Sequence, residues 1–474
     1  MDVQTIVNLA LQQHRAGRPD AAVEILRQAA SQHPDSAEVF GAMGAILLQT
    51  NDAKAAVLAL QKAVALRPDY AAAYSNLGNA LCAVHAFDLA VQALNKAIAL
   101  KSDFSGAHYN LGMAMENLGR FDLAAAAYEQ ALRLDPGYAD AANNLANVLQ
   151  SAGRLDEAIA AYRRAVEMRP QFAWAHWNLG LALLARGEYA EGWREFEWRL
   201  KVNEPGHPRP NFSQPRWDGG ELCGRRILLW TEQGFGDMIQ FARYIALVVA
   251  RGGKPIIYCP NNLVRLFQRF GGVEVLERGQ PLPAFDVECP LMSLPLVVGT
   301  TMQTIPDSVP YLSGEVEMWG SRLIADGRRR VGLAWSGRRL PDPRRTVPAE
   351  QLLPLAAARG VRWISLQRAE AETPNSLPPA ELAMDDWTGE LRDFADTAAL
   401  VHHLDLVITI DTAVAHLAGA MGKPVWLMLP LVADWRWTPS GESTPWYRSM
   451  RLFRQERFGD WAAPIRRIVE QLTQ

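Results

Sequence analysis

The chain has 474 residues, 49% of them hydrophobic and 21% charged, which is too long for a single hydrophobic core, so at least two domains are expected. A net charge of -3 gives no cationic excess for a phosphate backbone, and nucleic acid is not expected as a partner. No apolar run approaches the roughly 18 to 20 residues of a membrane span, and the start lacks the basic-then-apolar layout of a secretory signal. Cys82, Cys223, Cys259 and Cys289 are scattered without metal-ligand or disulfide spacing. These features together predict a cytoplasmic protein with no metal site.

The first two hundred residues repeat every 34. Leu9, Met43, Leu77, Leu111, Leu145 and Leu179 stand in register, and each is followed by alanine or glycine. Further along each unit, Ala22, Ala56, Ala90, Ala124 and Ala158 form a second column of small residues, continued by Gly192, and Ala29, Ala63, Ala97, Ala131 and Ala165 form a third. Pro34, Pro68, Pro136 and Pro170 end the second helix of their units, because proline lacks the amide donor and fixes φ. Six helical hairpins over residues 1–204 follow from this period. The pattern resembles the tetratricopeptide repeat, and the resemblance implies a superhelix whose concave side binds extended peptides or protein segments. Asn8, Asn76, Asn110, Asn144 and Asn178 share one position in the repeat, which only Ala42 breaks. An amide both donates and accepts, so such a column holds a peptide backbone without reading its side chains. A similar asparagine ladder lines the repeat groove of O-linked N-acetylglucosamine transferase. The competing reading is that these amides only join neighbouring helices.

Residues 205–225 are rich in proline and glycine and read as a linker. Beyond them, short apolar runs alternate with helical stretches: "RRILLWT", "KPIIYCP", "VEVLERG" and "FDVECP", then "RRRVGLAWSG", "VRWISLQR", "DLVITID" and "KPVWLMLP". Fully apolar runs of this kind are buried parallel strands. Two Rossmann-like halves follow, 226–312 and 313–474, with ligands expected at the carboxyl ends of the strands.

Three strand ends stand out. After the strand at 227–231 comes "EQGFGD", where the lack of a third spaced glycine disfavours a dinucleotide. Asp237 there is either a helix cap or a general base facing the cleft. After "VGLAW", Ser336 and Gly337 lead into a loop with Arg338, Arg339, Arg344 and Arg345, offset only by Asp342. This loop is either a solvated surface segment or a diphosphate clamp. The third strand, 406–410, ends at Asp411 and Thr412, and a helix of small residues starts near Ala413. Its free amides and positive dipole end suit an anion, and His416 lies on the same helix face as Thr412. Trp435 and Trp437 either stack on a sugar or base, or fill the core beneath the cleft.

The segment "DTAVAHLAGAMGKPVW" resembles the donor-site motif of the heptosyltransferase-type glycosyltransferases of family 9, and "GFGDMIQF" resembles that family's N-terminal glycine-aspartate motif. The likeness spans about residues 222–473. It implies a GT-B pair of Rossmann-like domains that transfers a sugar from a nucleotide-diphosphate donor without a metal. By the same resemblance, Asp237 is the base, and Thr412, Ala413 and His416, with Asp411 at the strand end, hold the diphosphate. Ser336, Gly337 and Arg345 are its opposing contacts. Ala413 replaces the family's usual glycine, and Arg345 stands where a lysine is general. The expected function is an inverting transferase whose repeats recruit a protein or peptide acceptor. Two alternatives accompany it: an inactive scaffold whose second domain senses nucleotide, and repeats that only self-associate beside a glycan or lipid-linked acceptor.

Overall fold

The computed structural model describes residues 1–202, 210–232, 234–323, 326–337, 343–368 and 377–473. Two compact units result, Met1–Leu179 and Gly180–Gln474. Arg338, Arg339 and Asp342 of the arginine-rich loop, and linker residues 205–209, lie outside the described residues.

The first unit is a row of antiparallel helix pairs, from Val3–Arg15 with Pro19–Gln32 to Ala139–Ser151 with Leu155–Met168. The small-residue columns are the lines along which the helices touch: Ala22, Ala56, Ala90, Ala124 and Ala158 are all fully buried. A Cβ added to Gly78 would sit 2.3 Å from Leu94 Cγ, and one added to Gly112 would sit 2.6 Å from Tyr128 Cε1. The glycine of the first helix therefore gives the large residue of the second a seat against backbone, and a methyl there costs about 1–3 kcal/mol of overpacking. The structure adds one more 34-residue column. Gly17, Asn51, His85, Gly119, Gly153 and Gly187 all have positive φ in the turn that closes the first helix of each pair. Glycine adopts this conformation at no steric cost, and asparagine or histidine does so at a modest one.

The second unit contains two parallel sheets. The first runs in the order β3-β2-β1-β4 and the second in the order β6-β5-β7-β8-β9. Their strands are β1 Arg226–Trp230, β2 Lys254–Cys259, β3 Glu274–Glu277, β4 Val287–Pro290, β5 Arg329–Ala334, β6 Val361–Ser365, β7 Leu406–Ile410, β8 Val425–Leu429 and β9 Met450–Arg454. The apolar runs make eight of these. The ninth, "MRLFR", pairs only with β8 at the sheet edge; its two arginines hide the apolar pattern. Each sheet changes direction once, between β1 and β4 in the first and between β5 and β7 in the second. In open α/β sheets such switch points open a crevice at the strands' carboxyl ends. All three strand ends singled out from the sequence flank these two crevices.

The helix Tyr189–Phe196 belongs to this second unit. Its Trp193 is 2% exposed, donates its indole N–H to the Thr300 carbonyl at 3.1 Å, and sets its ring edge-on to Trp435 at 5.5 Å and to Phe241 at 6.3 Å.

Candidate active site

The start of the helix Phe235–Phe241, in the first half, rests on the helix Ala413–Ala420 of the second. Gly236 makes this possible: a Cβ there would lie 2.8 Å from His416 Cδ2 and 3.6 Å from Ala413 Cα. Phe235 meets Phe394 at 5.1 Å between ring centroids, and Arg265 donates to Asp393 at 3.0 Å and to Asp396 at 2.9 Å, also across the two halves. The two strand–helix junctions are thereby brought face to face.

Asp237 caps its own helix and also reaches the other half of the unit. Its Oδ2 accepts from the Gly234 amide at 3.0 Å, which caps the helix, and its Oδ1 pairs with the Arg436 guanidinium from the other half. Arg436 also donates to Asp434 at 2.7 Å and to the Gln240 side chain, and it is 8% exposed. Burial pushes the Asp237 carboxyl above its ordinary range, and Asp434 adds to this while Arg436 opposes it. Asp237 is consequently a carboxylate with a raised affinity for protons beside a fixed cation, in a side chain still 19% exposed.

On the second half, β7 is buried along its whole length and its chain turns at Asp411 and Thr412. Thr412 is the N-cap residue, extended at φ -143° and ψ 171°, yet its side chain caps nothing. Its hydroxyl lies instead 3.3 Å from that of Thr409. The amides of Ala413 and Val414 make no hydrogen bond among the described residues. This helix start keeps free donors at its positive end. Small residues seat the helix closely, since a Cβ on Gly419 would come 2.6 Å from Tyr447 Cδ1. His416 is 4% exposed, with its Nδ1 3.0 Å from the Tyr447 hydroxyl and its Nε2 3.8 Å from Asp411 Oδ1. Burial, with Arg436 and Arg243 nearby, holds its pKa well below the ordinary value, so it is neutral. Burial and Asp434 push Asp411 up to about 6, against the pull of Arg436.

The phosphate contacts expected after β5 gather at the same place. Arg345 donates to the Asp411 carbonyl at 3.1 Å and thereby spans the β5–β7 switch point. Gly337 lets it in, because a Cβ there would fall 3.1 Å from Arg345 Nε. The amides of Trp335 and Ser336 donate to the Gln367 side chain at 3.2 and 2.8 Å. The Ser336 hydroxyl is buried and has no partner among the described residues. Trp435 and Trp437 are core residues, 6% and 0% exposed, and Trp437 stacks on His416 at 5.2 Å. The residues that the sequence reading missed are Arg436, Asp434, Gln240, Gln367, Tyr447 and Arg243. Of their links, only the Asp434–Arg436 and Gln240–Arg243 contacts are local enough to be read from spacing.

Within the first unit, the asparagine column divides. Asn144 donates to the Tyr109 hydroxyl at 3.1 Å and accepts from Asn143 at 3.2 Å, while Asn178 donates to Asn143 and Asn147 at 3.2 and 3.3 Å. These two join helices to one another. Asn8 accepts from Gln4 at 3.1 Å, whereas the half-buried Asn76 and Asn110 make no side-chain hydrogen bond among the described residues. A pocket of about 450 Å³, lined by Asn143, Asn147, Phe172, Trp174 and Asn178, opens at the lower end of the column.

Comparison with known proteins finds two kinds of family along the chain. Tetratricopeptide-repeat families match residues 13–81, 105–138, 127–160 and 146–187, and glycosyltransferase family 9 (heptosyltransferase) matches residues 388–455. That last segment holds β7, Asp411 to His416 and Arg436. Protein FlbA of Caulobacter vibrioides (strain ATCC 19089 / CIP 103742 / CB 15) is 30% identical over 319 residues, which are 61% of this chain and 53% of FlbA. The chain thus spans about half the length of this relative. Among solved structures, MamA is 26% identical over 36% of this chain and 98% of its own, at a TM-score of 0.33. The tetratricopeptide protein TTC0263 of Thermus thermophilus is 27% identical over 38% and 98%, at a TM-score of 0.34. Among the described residues, no helix is long and apolar enough to cross a membrane.

Proposed function

From a chain that joins tetratricopeptide repeats to a glycosyltransferase family 9 segment, we propose a metal-independent, inverting glycosyltransferase that uses a nucleotide-diphosphate sugar, with repeats that recruit a protein or peptide acceptor. One observation carries this reading: the uncapped helix start at Ala413, Arg345 and His416 meet the junction holding Asp237 across a single crevice. The acceptor hydroxyl gives its proton to Asp237 as its oxygen bonds to the anomeric carbon. The bond from that carbon to the phosphate oxygen breaks in the same step, so the anomeric centre inverts. The released diphosphate carries its new charge toward the Ala413 and Val414 amides and Arg345, which are already in place. Arg436 opposes the burial of Asp237 and so favours the ionised form that a base requires. The unoccupied amides of Asn76 and Asn110 suit the acceptor's backbone. The reaction takes place in the cytoplasm, where nucleotide sugars are supplied.

A scaffold that senses nucleotide without transferring sugar is the second reading. It draws on the engagement of both Asp237 oxygens and on the Ala413 methyl, which stands where relatives have glycine. Calorimetric titration with ADP, UDP and GDP in EDTA tests the donor site. One nucleotide should bind with micromolar affinity, and His416→Ala should weaken it at least tenfold. If none of the three binds, the diphosphate site is refuted.

A further inference from the structure

The diphosphate reading names His416 but not the form in which it acts. We propose that Tyr447 is a positioning residue that fixes His416 as the neutral imidazole with its proton on Nε2, directed toward the crevice.

The geometry restricts each hydrogen bond in turn. Tyr447 is 1% exposed, and its hydroxyl meets His416 Nδ1 at 3.0 Å, the Tyr311 hydroxyl at 3.5 Å and the Arg243 guanidinium, which can only donate to it. The Tyr311 proton has its own acceptor, the Ile239 carbonyl at 3.2 Å. The shorter and better acceptor for the Tyr447 proton is therefore the imidazole nitrogen. A nitrogen that accepts carries no proton, so the ring's one proton lies on Nε2. The ring cannot turn to exchange its two nitrogens, because Trp437 stacks on it at 5.2 Å and Gly236 closes its Cδ2 edge.

Electrostatics favour the same state. Arg243 is 3% exposed and lies 4.6 Å from the centre of the Tyr447 ring. It donates to the Trp446 and Gln240 carbonyls at 2.7 and 3.0 Å and has no carboxylate partner among the described residues. A bare cation behind the phenol strengthens its O–H as a donor and disfavours a second positive charge on the imidazole. The groups that face His416 from other elements are Asp411 at the end of β7, Asp434 and Arg436 before Trp437, Asp237 from the first half, and Arg345 near Asp411. Of the carboxylates, Asp237 and Asp434 are already paired with Arg436, and Asp411 is 3.8 Å from Nε2, outside hydrogen-bond reach. A neutral donor then adds direction to a diphosphate site without adding a proton that the leaving group could take. The imidazole itself then brings no charge to the site.

The full-length protein carrying 15N-labelled histidine tests this. His416→Ala identifies the His416 signals among the nine histidines, and the two ring nitrogens report protonation by their shifts. A protonated Nε2 and an unprotonated Nδ1, unchanged from pH 5.5 to 8, are expected. Tyr447→Phe should give averaged shifts of two exchanging tautomers and bind ADP three- to tenfold more weakly. A protonated Nδ1, exchanging tautomers in the wild-type protein, or a doubly protonated ring above pH 5.5 overturns the assignment. The wild-type spectrum alone decides if the Tyr447→Phe protein does not fold. Failure of ADP, UDP and GDP all to bind while Nε2 carries the proton removes the diphosphate reading and supports the tautomer; binding of any one of them with a protonated Nδ1 does the reverse.

Discussion

The two strand–helix junctions that meet in the crevice have the same plan and opposite chemistry. Each follows a strand beside a switch point, each carries an aspartate, and each opens a short helix. In the first, Asp237 turns back onto the Gly234 amide, so the protein's own carboxylate already sits at the helix's positive end. In the second, Thr412 leaves that end uncovered, and the aspartate stands one residue before it, at the strand end. A carboxylate at the first helix start repels an anion, and the second start holds free amides with no carboxylate among them. On the proposed reading, the position of an acidic residue relative to the helix start separates a junction that offers a base from one that receives a phosphate.

Exchanging the chemistry of either aspartate tests this contrast, and the largest effect belongs to Asp237. Asp237→Asn keeps an oxygen for the Gly234 amide but cannot take a proton. Sugar transfer should fall about 10³-fold while nucleotide affinity changes less than twofold, measured by turnover and calorimetry. Equal loss of both would show that Asp237 serves structure alone. Gly236→Ala forces a methyl onto His416. It should weaken nucleotide binding about tenfold and cost about 1–3 kcal/mol in denaturant unfolding; unchanged values would mean that the two junctions are not in contact.

Asp411 offers a finer test. Its carboxyl is raised from the ordinary 3.8 to about 6, so the unfolded chain releases this proton at lower pH than the folded one. The stability associated with it is present below about pH 4 and is lost as pH rises to about 6. Asp411→Asn should accordingly be more stable than wild type above pH 6, by on the order of 1–3 kcal/mol, with the gap closing toward pH 4. A gap independent of pH would mean that Asp411 titrates normally. The smallest effect is expected for Thr412→Ala: because the hydroxyl caps nothing, melting temperature should hold within about 1 °C while ADP affinity drops two- to fivefold. A clear loss of stability instead would reveal a capping role.

The residues that could be read from the sequence are those whose signal is local. β7 runs from Leu406 to Ile410 and its helix starts at Ala413, as the apolar run and abrupt polar turn indicate, and the 34-residue period gives the helix pairs through their alanines. What could not be read depends on distance or disguise. Asp237 and Arg436 are 199 residues apart, and nothing in "DWRW" announces a partner. Tyr447 and Arg243 lie in "PWYRSM" and "FARY", sequences that look like ordinary core. Asn51 and His85 take the left-handed turn position that glycine marks in four other repeats, and so hide that column. The asparagine ladder, broken only at Ala42, is not uniform in role, since tyrosines and asparagines of neighbouring helices engage Asn144 and Asn178 while Asn76 and Asn110 make no side-chain hydrogen bond among the described residues.

Trp193 is the keystone of an aromatic nest whose other stones, Phe241, Trp435 and Trp446, come from both halves of the second unit. A shortened gene beginning at the proline-rich stretch would discard that tryptophan and leave a greasy socket open to water, a recipe for insoluble product. The helix Tyr189–Phe196 therefore belongs with the α/β unit, although it lies ahead of the loop that looks like a hinge. A chimera that keeps this nest closed carries the sixth repeat's second helix along with the α/β unit, whatever repeats are placed ahead of it.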